Sequence, residues 1–434
     1  APARSSRGSR NGDAVRILYT AIDQIVPGTL GGSTHVQAVA EGLAALGHEV
    51  HVAVRDGAGE PVPPRGPGPS PEAGATPGPE SGPGPSLRRP TGTVNGPTWH
   101  DVGTPLGSPN LRLLRRGRVR ALAVALRPDV IIERYHNFGG EGLLAAAPVG
   151  ARTVLEVNAP VVDYPGSPKR TVDRLLVVEP MRRWREWQCR AADLIVTTDR
   201  AILPPDTPAA KVIVTEWGAD TARFRPDAAG PVPFARQPGD LIAVFAGAFR
   251  AWHGVGRLVD AIAWLERRGS PWRAVLIGDG PERPALEARV SAERLTRVAF
   301  TGALPYDAMP AALAAADAGA APFQPDAHAP LRHGFYWSPL KVFEYMAAGL
   351  PVVAPALPRL RAILAEGDAG VLYQDDAPDA LANALDTLAD ADRRRRLGAA
   401  ARARAEAHFS WSAHCRALDA AMTAMRATPR THAG

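Results

Sequence analysis

The chain has 434 residues, 45% of them hydrophobic, with a formal net charge of +6 carried almost wholly by arginine. Such a length exceeds one ordinary core and predicts more than one domain, while the basic balance favours anionic partners without choosing among nucleotides, lipid headgroups and nucleic acid. Cys189 and Cys415 are the whole cysteine complement and no apolar run is long enough to span a bilayer, which excludes a disulfide framework and fits a reducing, cytoplasmic setting.

Residues 1–13 are basic and polar and lack the apolar core of a secretory signal; a disordered tail is expected. Val15 to Ala21 reads as a first strand. Gly31-Gly32-Ser33 follows, then a helical pattern with Val36, Val39, Ala40, Leu43 and Leu46 on one face, closed by Gly47. With a second strand from Glu49 to Val54 this is a βαβ opening with a glycine loop at the strand's carboxyl end. More than half of residues 57–98 are Pro or Gly, so this stretch is expected to be a disordered insertion. Residues 111–128 read as one basic amphipathic helix, either resting on an anionic membrane surface or packed on the first domain. Strands are expected at Asp129 to Glu133, Arg152 to Val157, Asp193 to Thr198 and Lys211 to Thr215, with helices between.

The polar, Pro-rich stretch 226–240 reads as a linker, after which the plan restarts. Leu241 to Ala246, Arg273 to Ile277, Val298 to Phe300 and Pro351 to Ala354 read as strands, and the first three run into Gly247, Gly278-Asp279-Gly280 and Thr301-Gly302. Alternating β and α patterns predict parallel sheets covered on both faces. The fold class is therefore α/β: two Rossmann-like doubly wound domains facing a cleft, over 14–225 and 241–410. A C-terminal helix and tail, 411–434, is expected to cross back to the first domain.

The stretch SPLKVFEYMAAGLPVVA, residues 338–354, raises the sharpest chemical expectation. A helix starting at Ser338 to Leu340 offers free amides and the positive end of its dipole to an anion. Ser338 can cap it, Pro339 suits its first turn, and Lys341 adds a full charge. Glu344, further along the same helix, can accept hydrogen bonds from two adjacent hydroxyls, as in a ribose. A plain surface helix with a serine cap is the competing reading. In AVFAGAFRAWHGVGRL, residues 243–258, Arg250 and His253 stand beyond a strand's carboxyl end, where two cationic or donor side chains suit a phosphate. Read alone, they are better taken as ordinary surface loop residues. There is no G-x-x-x-x-G-K-[ST], H-E-x-x-H or G-x-S-x-G. The basic segments lack interleaved aromatics, so nucleic acid is not an expected partner. No Asp-x-Asp stands in a metal-binding context, so no metal and no cofactor are expected. Trp184 and Trp187, on one basic helix, read as core or as an acceptor groove.

GGSTHVQAVAEGLAALGHEV (31–50), WGADTARFRP (217–226), GAFRAWHGVGRLVDA (247–261), LIGDGPE (276–282) and the 338–354 stretch together resemble the retaining glycosyltransferases of the GT-B fold, family 4. The resemblance covers residues 15–425 apart from the insertion. It implies that the second domain binds a UDP- or GDP-sugar, and that the first takes a small-molecule, glycan or lipid-linked acceptor. It implies a diphosphate held by Ser338, Leu340, Lys341 and Arg250, a ribose on Glu344, and Gly31 and Gly32 beneath the donor. His253, Gly278 and Trp337 would complete the donor side, with Leu304 meeting the base. Glu156 and Asn158 would lie on the acceptor side. Arg250, Lys341 and His136 would be the catalytic set. The chain departs from the family pattern at Tyr336, where a glutamate for the sugar is usual, and at Ala248, where an arginine is usual. It also departs at His253, which stands at a lysine position, and at Asn158, which replaces a histidine; His136 is the substitute in a comparable loop. A sugar-nucleotide 2-epimerase and a non-catalytic nucleotide-sugar-binding partner protein share this architecture and are the competing functions.

Overall fold

The computed structural model describes residues 14–26, 28, 31–56, 96–103, 109–163, 170–171, 173, 179–328, 331, 334–374 and 377–429. The expected N-terminal tail, nearly all of the expected insertion and the last five residues lie outside these. The first sheet is built from β1 (Arg16–Val26), β2 (Glu49–Asp56), β3 (Thr98–Asp101), β4 (Val130–Arg134), β5 (Arg152–Val157), β6 (Leu194–Thr197) and β7 (Val212–Val214). Its strand order is β3-β2-β1-β4-β5-β6-β7, and every pairing is parallel. The second sheet holds β8 (Leu241–Ala246), β9 (Trp272–Ile277), β10 (Val298–Gly302), β11 (Ala318–Ala320), β12 (Val352–Pro355) and β13 (Gly370–Tyr373), in the order β10-β9-β8-β11-β12-β13. In both sheets the chain starts near the middle and winds outwards to each edge. The strands' carboxyl ends then meet at one rim, where ligands of open parallel sheets bind.

The central strands are apolar along their length because helices cover both faces. Ile17, Leu18 and Tyr19 of β1 and Ile242 to Phe245 of β8 are fully buried. The first glycine loop leads into α1 (Gly31–Ala45), whose Val36, Val39, Ala40 and Leu43 are buried as the periodicity requires. Leu46 falls beyond the helix end and is exposed, because Gly47, at φ 95°, turns the chain away before another helical turn forms.

The expected single helix over 111–128 is two pieces, a 3-10 turn at Pro109–Arg115 and α2 (Arg116–Leu126). The break follows from burial. Arg112 is drawn fully inside, where it meets Asp23 at 2.7 Å, Glu133 at 3.0 Å and, closer still, Glu141 at the start of α3 (Glu141–Ala146). Its charge is spent on three carboxylates and is not offered to a membrane. The expected insertion ends at 98, but Thr98 already belongs to β3 and pairs with His51.

The domains are joined twice. The stretch at 217–224 runs beside 409–411, where Ala219 N–H donates to Phe409 O at 2.8 Å and Trp411 N–H to Ala219 O at 3.2 Å. From there a last helix, Trp411–Ala427, returns to the first domain as expected. It buries Trp411, Cys415, Leu418 and Met422 among Val36, Val39 and Leu43 of α1. The expected linker 226–240 is not free along its whole length: Asp240 is buried and binds Arg273 at 3.1 Å and Arg297 at 2.6 Å.

Candidate functional site

Three glycines shape the floor of the cleft on the second domain. Gly247, Gly278 and Gly302 end β8, β9 and β10. Gly247 N–H donates to Ile277 O at 2.9 Å, and Gly278 N–H to Gly302 O at 2.9 Å. Gly278 has φ 140°, and a Cβ there would overlap Gly247 O. A side chain is excluded on both counts. Gly247 has φ 137°, and a Cβ there would stand 3.1 Å from Lys341 Nζ. The missing side chain is the space in which that ammonium lies.

Lys341 sits in the first turn of the helix Leu340–Ala347, the fourth helix named here and labelled α4. Its Nζ is 3.9 Å from the Phe245 ring centroid and 5.3 Å from that of Phe323. Aromatic faces attract a cation, but they do not accept its hydrogen bonds. The Nζ atom is buried and has no hydrogen-bond partner. An unsatisfied buried group of this kind costs on the order of 1–3 kcal/mol, and more when charged. Burial accordingly pushes its pKa down to about 7, with Glu344 pulling the other way. Glu344 is pushed up to about 7 by the same burial, opposed by Lys341. Its charge reaches Tyr306, whose phenol is raised by burial first and by Glu344 second. Tyr306 carries Arg223 stacked 4.7 Å from its ring centre. Leu304, in the same loop, packs with Tyr306 against the core.

Arg250 is exposed and lies 5.5 Å from the Trp252 ring. Arg250 and Lys341 both act on His253 and lower its pKa. That pKa falls to about 3, chiefly through burial, then through Lys341, with the Ala248 carbonyl opposing and Arg250 and His328 adding. His253 is therefore neutral near pH 7. Its Nδ1 faces the Ala248 carbonyl, so Nδ1 holds the proton and Nε2 is left as an acceptor. The expectation that His253 is a cationic side chain here is corrected: burial and Lys341 hold it neutral, and Arg250 and Lys341 are the basic side chains beside it.

Ser338 does not cap α4 through its side chain, and no side chain does. Its hydroxyl is used between the domains. It donates to Glu216 at 2.7 Å and accepts from Trp217 N–H at 2.8 Å. Trp337, expected on the donor side, closes an aromatic wall that the sequence did not reveal. His328 lies 4.2 Å from Trp252 and 5.3 Å from Trp337, ring centre to ring centre, and the two tryptophans are 5.9 Å apart. The Trp252 Nε1 atom is buried without a hydrogen-bond partner. Trp252 could have been found from its place beside His253; His328 sits in a loop without a recognisable pattern.

Across the cleft, Gly31 is the first residue of α1, and a Cβ there would stand 3.4 Å from Leu340 Cδ1. The N-termini of α1 and α4 thus face each other. Gly32 lies against the Gln24 side chain. Glu156 is buried and fully engaged: Arg134 Nη1 donates to it at 2.9 Å, and Tyr19 OH and Asn158 Nδ2 also donate. Its carboxylate is thereby held against the Asn158 side chain. His136 follows β4 and lies close enough to Asp23 to favour that carboxylate. Burial opposes the ionised form of Asp23, but Arg112, Arg134, Gln24 and His136 hold its pKa below the ordinary value. Trp184 and Trp187 stack on each other at 4.5 Å and press on Gly140, with Trp184 Nε1 donating to Gly139 O at 2.9 Å. They form a packed wall under the loop that follows His136. Among the described residues no group of three His, Cys, Asp or Glu is arranged to hold a metal, and no helix is long and apolar enough to cross a membrane.

Two doubly wound domains with opposed helix starts define the GT-B architecture of glycosyltransferases. Residues 30–203 match the family described as Glycosyltransferase Family 4, and residues 240–391 match Glycosyl transferases group 1. The chain belongs to this family. It is 31% identical over 238 residues to 2-deoxystreptamine glucosyltransferase of Streptomyces kanamyceticus, covering 50% of this chain and 58% of that one. It is 30% identical over 306 residues to 2-deoxystreptamine N-acetyl-D-glucosaminyltransferase of Streptomyces fradiae, covering 63% and 66%. The chain spans little more than half the length of several curated relatives it matches. Its backbone is similar to that of sucrose-phosphate synthase from Thermosynechococcus elongatus, with a TM-score of 0.64 at 19% identity over 95% of this chain and 99% of that one.

Proposed function

We propose that the protein moves a sugar from a UDP- or GDP-sugar to a hydroxylated acceptor with retention at the anomeric carbon, without a metal. The observation that carries this reading is Lys341 Nζ: a buried ammonium with no hydrogen-bond partner, at a helix start, over a glycine, at the rim where the strands of the second sheet end. A diphosphate oxygen completes it. As the anomeric carbon–oxygen bond breaks, its electron pair goes to the leaving diphosphate. Lys341 and Arg250 meet that charge where it develops, at a helix start whose Leu340 and Val342 amides already donate to the Ser338 and Pro339 carbonyls. Glu344 then takes the ribose hydroxyls and the loop at Leu304 the base. The acceptor enters from the first domain, past His136 and Asn158. The acceptors named for the two relatives make an aminocyclitol the first to try, ahead of glycan and lipid-linked acceptors.

The test is a donor screen. Purified protein is incubated with UDP- and GDP-sugars, with and without 2-deoxystreptamine, in the presence of EDTA, and released nucleotide and products are measured. Nucleotide release coupled to a glycosylated product supports the reading. A rearranged free sugar points to epimerisation, and binding without turnover to a partner protein; either would displace it.

A further inference from the structure

The loop that leads into α4 is held from outside its own domain. Tyr336 O accepts from Thr198 Oγ1 at 2.7 Å and from Arg359 Nη1 at 2.9 Å. Two residues on, the Ser338 hydroxyl is bound from both sides by Glu216 and the Trp217 amide. Thr198, Glu216 and Trp217 precede the second domain, whereas Arg359 stands in the short helix Pro358–Ile363 behind the loop. Arg359 ties the system together. Its Nη2 lies 2.6 Å from Glu216 Oε1, and its Nη1 lies 3.8 Å from Asp199. Glu216 is fixed in turn from the last helix, because its carbonyl faces His414 Nδ1 at 2.9 Å. Both members of the ion pair are mostly shielded, with side chains 12% and 21% exposed. A pair so placed loses little to solvent screening.

Resting on the reading of the cleft as a donor site, we propose that Arg359 and Glu216 are positioning residues that couple donor-phosphate binding to closure of the two domains. Neither touches the phosphate. They fix the carbonyl of Tyr336 and the hydroxyl of Ser338. The next residues are the start of α4 and Lys341, so contact with the first domain through Thr198, Glu216 and Trp217 sets where the start of α4 lies. An open arrangement releases Thr198, Glu216 and Trp217 from the loop together. The phosphate end of the donor then loses its cradle, while Glu344 and the Leu304 loop, held within the second domain, keep theirs.

The test uses the full chain and the variants Glu216→Gln, Arg359→Gln and Arg359→Lys. Calorimetry measures affinity for a nucleoside diphosphate and for the matching monophosphate, in both the uridine and guanosine series. Glu216→Gln and Arg359→Gln should weaken diphosphate binding about tenfold, a loss of ~1.4 kcal/mol, and monophosphate binding less than about twofold. Arg359→Lys, which keeps the charge on Glu216, should recover part of the difference. A merely structural role predicts equal losses for both ligands, or a lower Tm with unchanged affinities, and either result overturns the proposal. If the parent binds no nucleotide of either series, the donor-site reading fails by itself. The latch is then judged by amide exchange over residues 335–343, expected to quicken about tenfold in Glu216→Gln and Arg359→Gln as local opening becomes easier. Unchanged exchange overturns it.

Discussion

Lys341 and Glu344 stand one turn apart on α4, and burial drives them toward neutrality from opposite sides, each to about 7. For Lys341 this is a fall from 10.5, so near neutral pH the unliganded site holds a partly deprotonated amine. A phosphate beside Nζ favours the charged form and raises the pKa again. Binding above pH 7 should therefore take up a proton, and nucleotide affinity should decline as pH rises through about 7. Calorimetry at pH 8 in buffers of different ionisation enthalpy checks this. The apparent enthalpy should depend on the buffer in the parent and lose most of that dependence in Lys341→Met. Buffer-independent enthalpies in the parent would remove Lys341 from the phosphate.

Glu344 carries the opposite sign. Its folded-state pKa is raised from 4.5 to about 7. Its ionised form therefore costs stability, a cost absent below the unfolded value and full above the folded one. Glu344→Gln should hold or raise Tm at pH 8 while weakening nucleotide binding, since it loses an acceptor for the ribose. Thermal melts with and without nucleotide separate the two effects. A variant that loses stability at pH 8 and binds normally would contradict both.

Arg250 and Lys341 act on the leaving group in this scheme. Lys341→Ala and Arg250→Ala should each lower turnover by roughly ten- to hundredfold, the worth of one charge-assisted contact, with small changes in Tm. His253→Ala is different in kind. A histidine neutral down to about pH 3 contributes no charge, so any loss should be independent of pH between about 5 and 8. A pH-dependent loss in that range would restore the cationic role that the sequence position suggested.

The sheets were legible where strands are long and apolar. Arg152 to Val157 and Leu241 to Ala246 fall where expected, because such runs have no better place than a buried parallel sheet. β3, β11 and β13 were not foreseen. Thr98–Asp101 is polar and half-exposed, Ala318–Ala320 has no large side chain, and Gly370–Tyr373 is short. Each is a strand because a neighbouring strand supplies hydrogen bonds, which no local pattern announces. The site divides in the same way. Lys341 and Glu344 were visible because one helix displays them in order. The aromatic wall and the Arg359–Glu216 latch join residues tens to more than a hundred positions apart, and His253 shows that position does not fix protonation. Arg112 misled because periodicity records which residues are basic, not which are paired.

Arg112 yields the last prediction. It is fully buried, as are Glu133 and Glu141, and Asp23 is nearly so. Glu133 shows how finely the cluster is balanced. Burial and Glu141 push its pKa up to about 8 despite Arg112, the Gly140 amide and Thr20. Removing the guanidinium leaves Glu133 and Glu141 facing one another without the cation that pairs them. Breaking such a buried pair costs roughly 3–5 kcal/mol, a large share of a domain's stability. Arg112→Met should therefore lower Tm sharply at pH 8. It should recover part of the loss at pH 5, where the stranded carboxylates can protonate. Arg116→Met and Arg120→Met, on the exposed face of α2, should melt like the parent at both pH values. Equal, small shifts for all three would show that the Arg112 cluster contributes nothing to the fold.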